Sequence, residues 1–90
     1  MDKRYRMLFL GTVQGVGFRA AAKALAHQHR VSGTARNMAD GRVEVIAEGN
    51  EHVLGDFYCD LKHLFHKNIT YSEMHESPAT GEFAGFYVEC

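Results

Sequence analysis

This 90-residue chain has little of the residue types that mark several large classes of protein. Its two cysteines, Cys59 and Cys90, lie far apart with no C-x-x-C spacing. That pattern predicts two free thiols in a reducing compartment rather than a disulfide framework. Pro78 is the only proline, and repeats or low-complexity segments that would indicate a linker are missing. We therefore expect one domain, residues 1–90, with one modest core.

The chain also lacks an excess of charge and a long hydrophobic run. Lys and Arg number 10 and Asp and Glu number 11, for a formal charge of −1. This balance argues against binding to a nucleic-acid backbone. The opening MDKRYRMLFL contains no apolar run long enough for a secretion signal or a membrane span. We expect a cytoplasmic monomer with no nucleic-acid and no membrane partner.

Hydrophobic periodicity divides the chain into seven predicted elements. Apolar residues at helical spacing predict two helices, and short apolar or alternating runs predict strands. In chain order these are a strand over Tyr5–Leu10, a helix over Phe18–His29, strands over Val31–Asn37 and Arg42–Glu48, a helix over Glu51–His66, and strands over Ile69–His75 and Phe86–Glu89. Asp40-Gly41 marks a hairpin turn, and Asn50 is a candidate N-cap for the second helix.

This order of elements indicates a fold class. Two helices whose apolar stripes must be buried pack best against one face of a sheet. The order strand, helix, strand, strand, helix, strand, with a further strand at the end, predicts an α+β chain. Its architecture is the ferredoxin-like split β-α-β sandwich, with a mainly antiparallel sheet and two helices on one face. That fold supports many activities and therefore does not decide the function.

The stretch GTVQGVGFR, Gly11 to Arg19, joins the first strand to the first helix. The first N–H groups of a helix lack internal partners, and glycines before them allow backbone N–H groups to converge on an anion. Arg19 falls in the first turn, where its guanidinium can pair with two phosphate oxygens. The loop therefore predicts a phosphate cradle. A glycine-rich connection beside a solvated arginine is the alternative, and neither a Walker A nor a G-x-G-x-x-G pattern is present.

Two motifs carry a resemblance to a known family. The first, G-x-V-Q-G-V-x-(F/Y)-R, is matched by Gly11, Val13, Gln14, Gly15, Val16, Phe18 and Arg19. The second, G-x-x-x-N-x-x-D-G-x-V, is matched by Gly33, Asn37, Asp40, Gly41 and Val43. In both motifs the chain resembles the acylphosphatases, small enzymes that hydrolyse carboxyl phosphates.

The resemblance implies a substrate and a set of site residues. It implies a small acyl phosphate as substrate, inorganic phosphate as product, and no metal or cofactor. Arg19 and Asn37 would be catalytic, Arg19 by binding the phosphate and Asn37 by orienting the attacking water. The phosphate-binding groups would be the backbone N–H groups of Gln14, Gly15, Val16, Gly17, Phe18 and Arg19, with the Arg19 side chain. Because a carboxylate is a good leaving group, such an enzyme mainly has to position the water and the substrate and to stabilise charge on the transferring phosphoryl group.

Three other interpretations remain open at this stage. His63 and His66 are three residues apart and could meet on a helix, but no carboxylate or cysteine stands at matched spacing for a metal. The aromatics of the strands and the C-terminal segment could stack RNA bases on a ferredoxin-like sheet, although the RNP1 pattern is missing and core packing explains them better. These aromatics are Tyr5, Phe9, Phe83, Phe86 and Tyr87. The fold could also serve as an inactive anion-binding module, or as a copy of the similar domain that begins larger carbamoyl-transferring maturation proteins.

Overall fold

A computed structural model describes residues 2–89 of the chain. Within this range it has five strands and two helices. They are β1 (Asp2–Gly11), α1 (Phe18–His29), β2 (Ser32–Asn37), β3 (Val43–Asn50), α2 (Glu51–Leu64), β4 (Ile69–Pro78) and β5 (Phe86–Val88). Every predicted element is present, with bounds that differ most at β1 and β4, which are both longer than predicted. Cys90 lies outside the described residues, and Cys59 is an exposed free thiol.

The strands form one sheet in the order β4-β1-β3-β2-β5. Three of the four pairings are antiparallel, and β2 pairs with β5 in parallel. β1 lies between β3 and β4, as its apolar sequence predicts. The two helices pack against the same face of this sheet, which we call the inner face. The predicted α+β ferredoxin-like fold is therefore confirmed.

The core lies between the helices and the inner face. Alternate residues of β1, namely Tyr5, Met7 and Phe9, point into it, as do Val43, Val45 and Ala47 of β3. From α1 it receives Phe18, Ala22 and Ala26, the face that periodicity predicts. The Phe18 ring packs between those of Phe9 and Phe65, at centroid distances of 4.8 and 4.6 Å. This stack holds the start of α1 against the sheet.

Helical spacing in the sequence predicts that α2 and its end face the core with five residues, and this prediction is wrong at Leu64. The five are Val53, Phe57, Leu61, Leu64 and Phe65. Leu64 is 56% exposed, whereas Leu54, which the prediction omits, is fully buried. Leu54, Phe57 and Leu61 follow the 3 and 4 spacing of one helical stripe, and a second apolar stripe one residue away made the sequence ambiguous. The predicted N-cap is confirmed, since the Asn50 side chain accepts a hydrogen bond from the N–H of His52 at 2.9 Å.

Two glutamates on the outer face of the sheet are buried, although their alternation in β3 predicts solvent exposure. Glu44 accepts hydrogen bonds from Arg6 Nε at 2.7 Å and from Arg36 Nε at 2.6 Å. Burial alone would raise the pKa of Glu44, but the two guanidinium groups outweigh it and hold the pKa below its usual range.

Tyr87 also points to the outer face and is 53% exposed. Core packing therefore explains the aromatic residues Tyr5, Phe9 and Phe86, but it does not explain Tyr87.

Glu48, the second buried glutamate, ties the segment after β4 across the outer face. Its carboxylate accepts hydrogen bonds from Thr80 N at 3.0 Å, Thr80 Oγ1 at 2.7 Å, Gly81 N at 2.8 Å and Arg4 Nη1 at 3.1 Å. Arg4 also pairs with Glu82 and lies 5.3 Å from the centre of the Phe83 ring. These contacts, which we call the Glu48 cluster, fix the path that leads from β4 to β5.

We expect Glu48→Gln to lower the free energy of unfolding by about 2 kcal/mol at neutral pH, because a buried charged acceptor with several donors becomes a neutral one. Urea unfolding measures the change. The matched control is Glu76→Gln on the exposed part of β4, which should stay within about 0.5 kcal/mol of the original chain. Equal losses in both variants would contradict the special role of Glu48.

The loss of unfolding free energy in Glu48→Gln should depend on pH in a defined direction. Burial would raise the pKa of Glu48, but the hydrogen bonds from Thr80, Gly81 and Arg4 lower it below the ordinary glutamate value. A lowered folded-state pKa stabilises the fold above the unfolded-state pKa, and this contribution disappears as pH falls through the folded-state value. The difference between Glu48→Gln and the original chain should therefore be constant near neutrality and shrink below about pH 4.

Candidate active site

The loop of residues 12–17 carries the chain from the end of β1 to the start of α1. Gly15 and Gly17 have φ angles of 75° and 81°, the left-handed region that favours glycine. Gly17 is the N-cap of α1 and provides no side-chain hydrogen bond to the helix. Within residues 2–89 no acceptor meets the N–H groups of residues 14–17. Several backbone donors therefore remain available at the positive end of the α1 dipole.

Buried residues on either side hold this loop in place. Val13 and Phe18 are each 1% exposed and belong to the core. On the β4 side, the N–H of Thr12 donates to the carbonyl of Asn68 at 2.9 Å. The loop ends are therefore fixed by packing, while the segment between them presents its backbone to solvent.

Arg19 lies in the first turn of α1, as predicted, and is partly buried. Its Nη1 donates to the carbonyl of Glu89 at 2.6 Å, just beyond the end of β5. The N–H of Glu89 in turn donates to the carbonyl of Ala35 in β2 at 2.9 Å. Within residues 2–89 the hydrogen-bond partner of this guanidinium is thus a neutral carbonyl, whereas Arg4, Arg6 and Arg36 pair with carboxylates.

Asn37 is the last residue of β2 and lies two residues beyond Ala35. It pairs with Val43 in the antiparallel ladder, so the two side chains point to the same face of the sheet. Because Val43 is in the core, Asn37 points to the helix side, where the loop and Arg19 also lie. Its side chain is partly buried and forms no hydrogen bond within residues 2–89. The topology thus brings both predicted catalytic side chains to the same end of the sheet.

Gln14 has a contact that the sequence did not predict. Its Nε2 donates to the carbonyls of Met38 at 2.8 Å and Arg42 at 2.9 Å, both in the turn between β2 and β3. The prediction assigned Gln14 to phosphate through its backbone N–H alone. No local sequence signal indicates this side-chain contact, because it joins residues 24 and 28 positions apart.

A cavity of about 210 Å³ opens beside the same turn. It is lined by Leu10, Gly11, Asp40, Gly41, Arg42 and Thr70. None of these belongs to the loop of residues 12–17, so the cavity neighbours the predicted phosphate cradle without containing it. Asp40 accepts hydrogen bonds from the N–H and the Nε of Arg42, and these contacts lower the pKa of its carboxyl.

The histidines form no metal centre in the part of the chain that the structure describes. Among residues 2–89 no three His, Cys, Asp or Glu side chains come together in a way that could hold a metal ion. His63 and His66 do meet, with stacked rings 5.9 Å apart. Over the same residues neither helix has the length and apolar character needed to cross a bilayer.

The fold and the loop define a small α+β domain in which a glycine-rich connection joins the first strand to the first helix. Comparison with known proteins names the family. The acylphosphatase family model matches residues 5–88, and the chain belongs to that family.

Individual relatives agree with this membership. An acylphosphatase of Legionella pneumophila (strain Corby) is 60% identical over 57 residues, which is 63% of either chain. A crystal structure of acylphosphatase from Bacillus subtilis has a TM-score of 0.88 and 31% identity, and covers 98% of this chain and 99% of that one. HypF of T. kodakarensis has a TM-score of 0.80 and 31% identity, but the match covers 12% of that longer chain. The aligned part thus spans just under two thirds of the Legionella relative.

The conformation of the loop can be tested by making the same substitution, glycine to alanine, at Gly17 in the loop and at Gly55 in α2. A Cβ at Gly17 or at Gly55 would meet no atom within 4 Å, so neither Gly→Ala substitution creates a clash. Gly17→Ala forces alanine into the left-handed region and should destabilise the fold by about 1 kcal/mol. Gly55→Ala, inside α2, should instead stabilise it by about 0.5–1 kcal/mol. Urea unfolding distinguishes the two, and changes of the same sign would contradict the described loop conformation.

Proposed function

We propose that this chain hydrolyses the carboxyl–phosphate bond of small acyl phosphates, releasing a carboxylate and inorganic phosphate. One observation carries the proposal. Three groups lie at one end of the sheet: the N–H groups of residues 14–17, which have no acceptor among residues 2–89, the Arg19 guanidinium, and Asn37 at the end of β2. Membership of the acylphosphatase family supports the same activity.

In the proposed site, the α1 end of the domain binds the phosphate. The backbone N–H groups of Gln14 to Arg19 donate to its oxygens, at the positive end of the helix dipole. The guanidinium of Arg19 supplies two parallel donors and a positive charge. These donors act on charge that develops as the phosphoryl group is transferred.

Asn37, at the end of β2, orients the attacking water. Its amide can donate to and accept from water but cannot remove a proton at neutral pH. The water oxygen forms a bond to phosphorus, and the bond between phosphorus and the acyl oxygen breaks, with its electron pair leaving on the carboxylate. One proton of the water passes to a phosphoryl oxygen, so the products are a carboxylate and dihydrogen phosphate. A carboxylate leaves readily, and positioning can therefore replace a strong base.

We also propose that the chain acts as a single-domain monomer in the cytoplasm. The core is closed by two helices on one face of the sheet, and the outer face carries ion pairs at Glu44 and Glu48. The exposed free thiol of Cys59 is typical of a reducing compartment. Size-exclusion chromatography with light scattering tests the oligomeric state.

Arg19→Ala should abolish both acetyl phosphate hydrolysis and phosphate binding, because the cation that faces the phosphate is lost. The measurement is release of phosphate from acetyl phosphate with EDTA present, together with the inhibition constant of inorganic phosphate. Lys23→Ala removes another cation from an exposed position of the same helix and should leave both values unchanged. No turnover by the original chain above the buffer rate would refute the proposed activity.

Asn37→Ala should lower kcat by about 100-fold or more while competitive inhibition by phosphate is retained, because one positioned donor is lost from the transition state. Steady-state kinetics with phosphate as inhibitor separate the two quantities. If Asn37→Ala kept the kcat of the original chain, the proposed water-orienting role of Asn37 would be wrong, even if Arg19→Ala were inactive.

A further inference from the structure

We propose that the Gln14 side chain is a positioning residue that fixes the phosphate loop relative to Asn37. This inference rests on the proposed function, because it concerns the geometry of the same hydrolysis. Gln14 Nε2 lies 2.8 Å from the carbonyl oxygen of Met38 and 2.9 Å from that of Arg42. Both partners are acceptors, so the amide nitrogen must face them and both of its hydrogens are used.

The turn that receives these hydrogen bonds is itself well ordered by backbone contacts. The N–H of Met38 donates to the carbonyl of Arg42 at 2.8 Å, and the N–H of Gly41 donates to the carbonyl of Met38 at 3.1 Å. The Gln14 amide therefore adds a second donor to each of two carbonyls that already close the turn. Asn37 directly precedes Met38 and is paired with Val43 on the other strand. A shift of this turn would move Asn37 with it.

Among hydrogen bonds within residues 2–89, the Gln14 side chain is the link between the loop and the turn. Its ends are held by Val13 and Phe18 in the core and by Thr12 against Asn68, on the β4 side. Within residues 2–89, the hydrogen bonds from loop residues 12–17 to the β2–β3 turn all come from Gln14. The groups that bind phosphate and the group that orients water therefore belong to separate segments, and the Gln14 amide connects them directly.

This arrangement predicts a specific kinetic defect. Substitution of the Gln14 side chain leaves the backbone donors and Arg19 in place, so the loop still binds phosphate. The water held by Asn37 is then displaced relative to phosphorus, and a displacement of about 1 Å costs on the order of 100-fold in rate. We expect Gln14→Met to lower kcat by about 10- to 100-fold while the inhibition constant of inorganic phosphate stays within about twofold.

A second variant, Gln14→Glu, should show a pH dependence of kcat that a mere loss of side-chain packing would not produce. Gln14→Glu keeps the shape of the side chain, but its ionised carboxylate faces two carbonyl oxygens and repels them. That repulsion raises the pKa of the introduced carboxyl. When protonated, the carboxyl donates one hydrogen bond and restores half of the contact. The kcat of Gln14→Glu, divided by that of the original chain, should rise as pH is lowered from 8 to 5, whereas the ratio for Gln14→Met should stay flat.

The experiment measures acetyl phosphate hydrolysis and phosphate inhibition across this pH range, with circular dichroism to verify folding of each variant. Gln28→Glu makes the same change on the exposed part of α1 and should match the original chain at every pH. Full kcat in Gln14→Met, loss of phosphate affinity parallel to loss of kcat, or a flat ratio for Gln14→Glu would each overturn the positioning role. If the original chain is inactive, the proposed function fails first, and the inference fails with it.

Discussion

The unpaired backbone N–H groups ahead of α1 are the constraint on which the candidate site depends. A chain that leaves β1 at Gly11 and enters a helix at Phe18 must turn sharply, and Gly15 and Gly17 make the turn in the left-handed region. A side-chain cap on α1 would have satisfied some of these donors, but the N-cap is a glycine. Unpaired donors lower the stability of the fold, and that cost is tolerable where solvent or an anion can accept the hydrogen bonds.

The segment between β4 and Glu89 makes contacts on the outer face of the sheet and then near the candidate site. Glu48 fixes Thr80 and Gly81, and these residues guide the chain from one edge of the sheet toward the other, where β5 pairs with β2. Beyond β5, the carbonyl of Glu89 accepts the hydrogen bond from Arg19. The segment that the Glu48 carboxylate holds on the outer face of the sheet is thus the same segment that continues through β5 to the hydrogen-bond partner of Arg19.

Local patterns in the sequence predicted the fold and the position of the loop, whereas contacts between distant segments could not be predicted. Helical spacing identified the buried face of α1, and the glycines before a helix identified the loop that joins β1 to α1. The same spacing was ambiguous in α2, where Leu54 is buried instead of Leu64, because two apolar stripes lie one residue apart. Alternation in β3 placed Glu44 and Glu48 in solvent, since their partners, such as Arg6 and Thr80, are distant along the chain.

In the proposed site, phosphate binding and water orientation belong to different segments, and the neutral amide of Gln14 lies between them. Backbone donors and Arg19 belong to the start of α1, whereas Asn37 belongs to the end of β2. A carboxylate at position 14 would compete with the phosphate for these donors or repel the carbonyls of the turn. An amide avoids both effects, because it donates twice without adding charge beside the anion. The contact between Gln14 and the turn thus aligns the two segments while leaving the electrostatics of the phosphate cradle to its own donors.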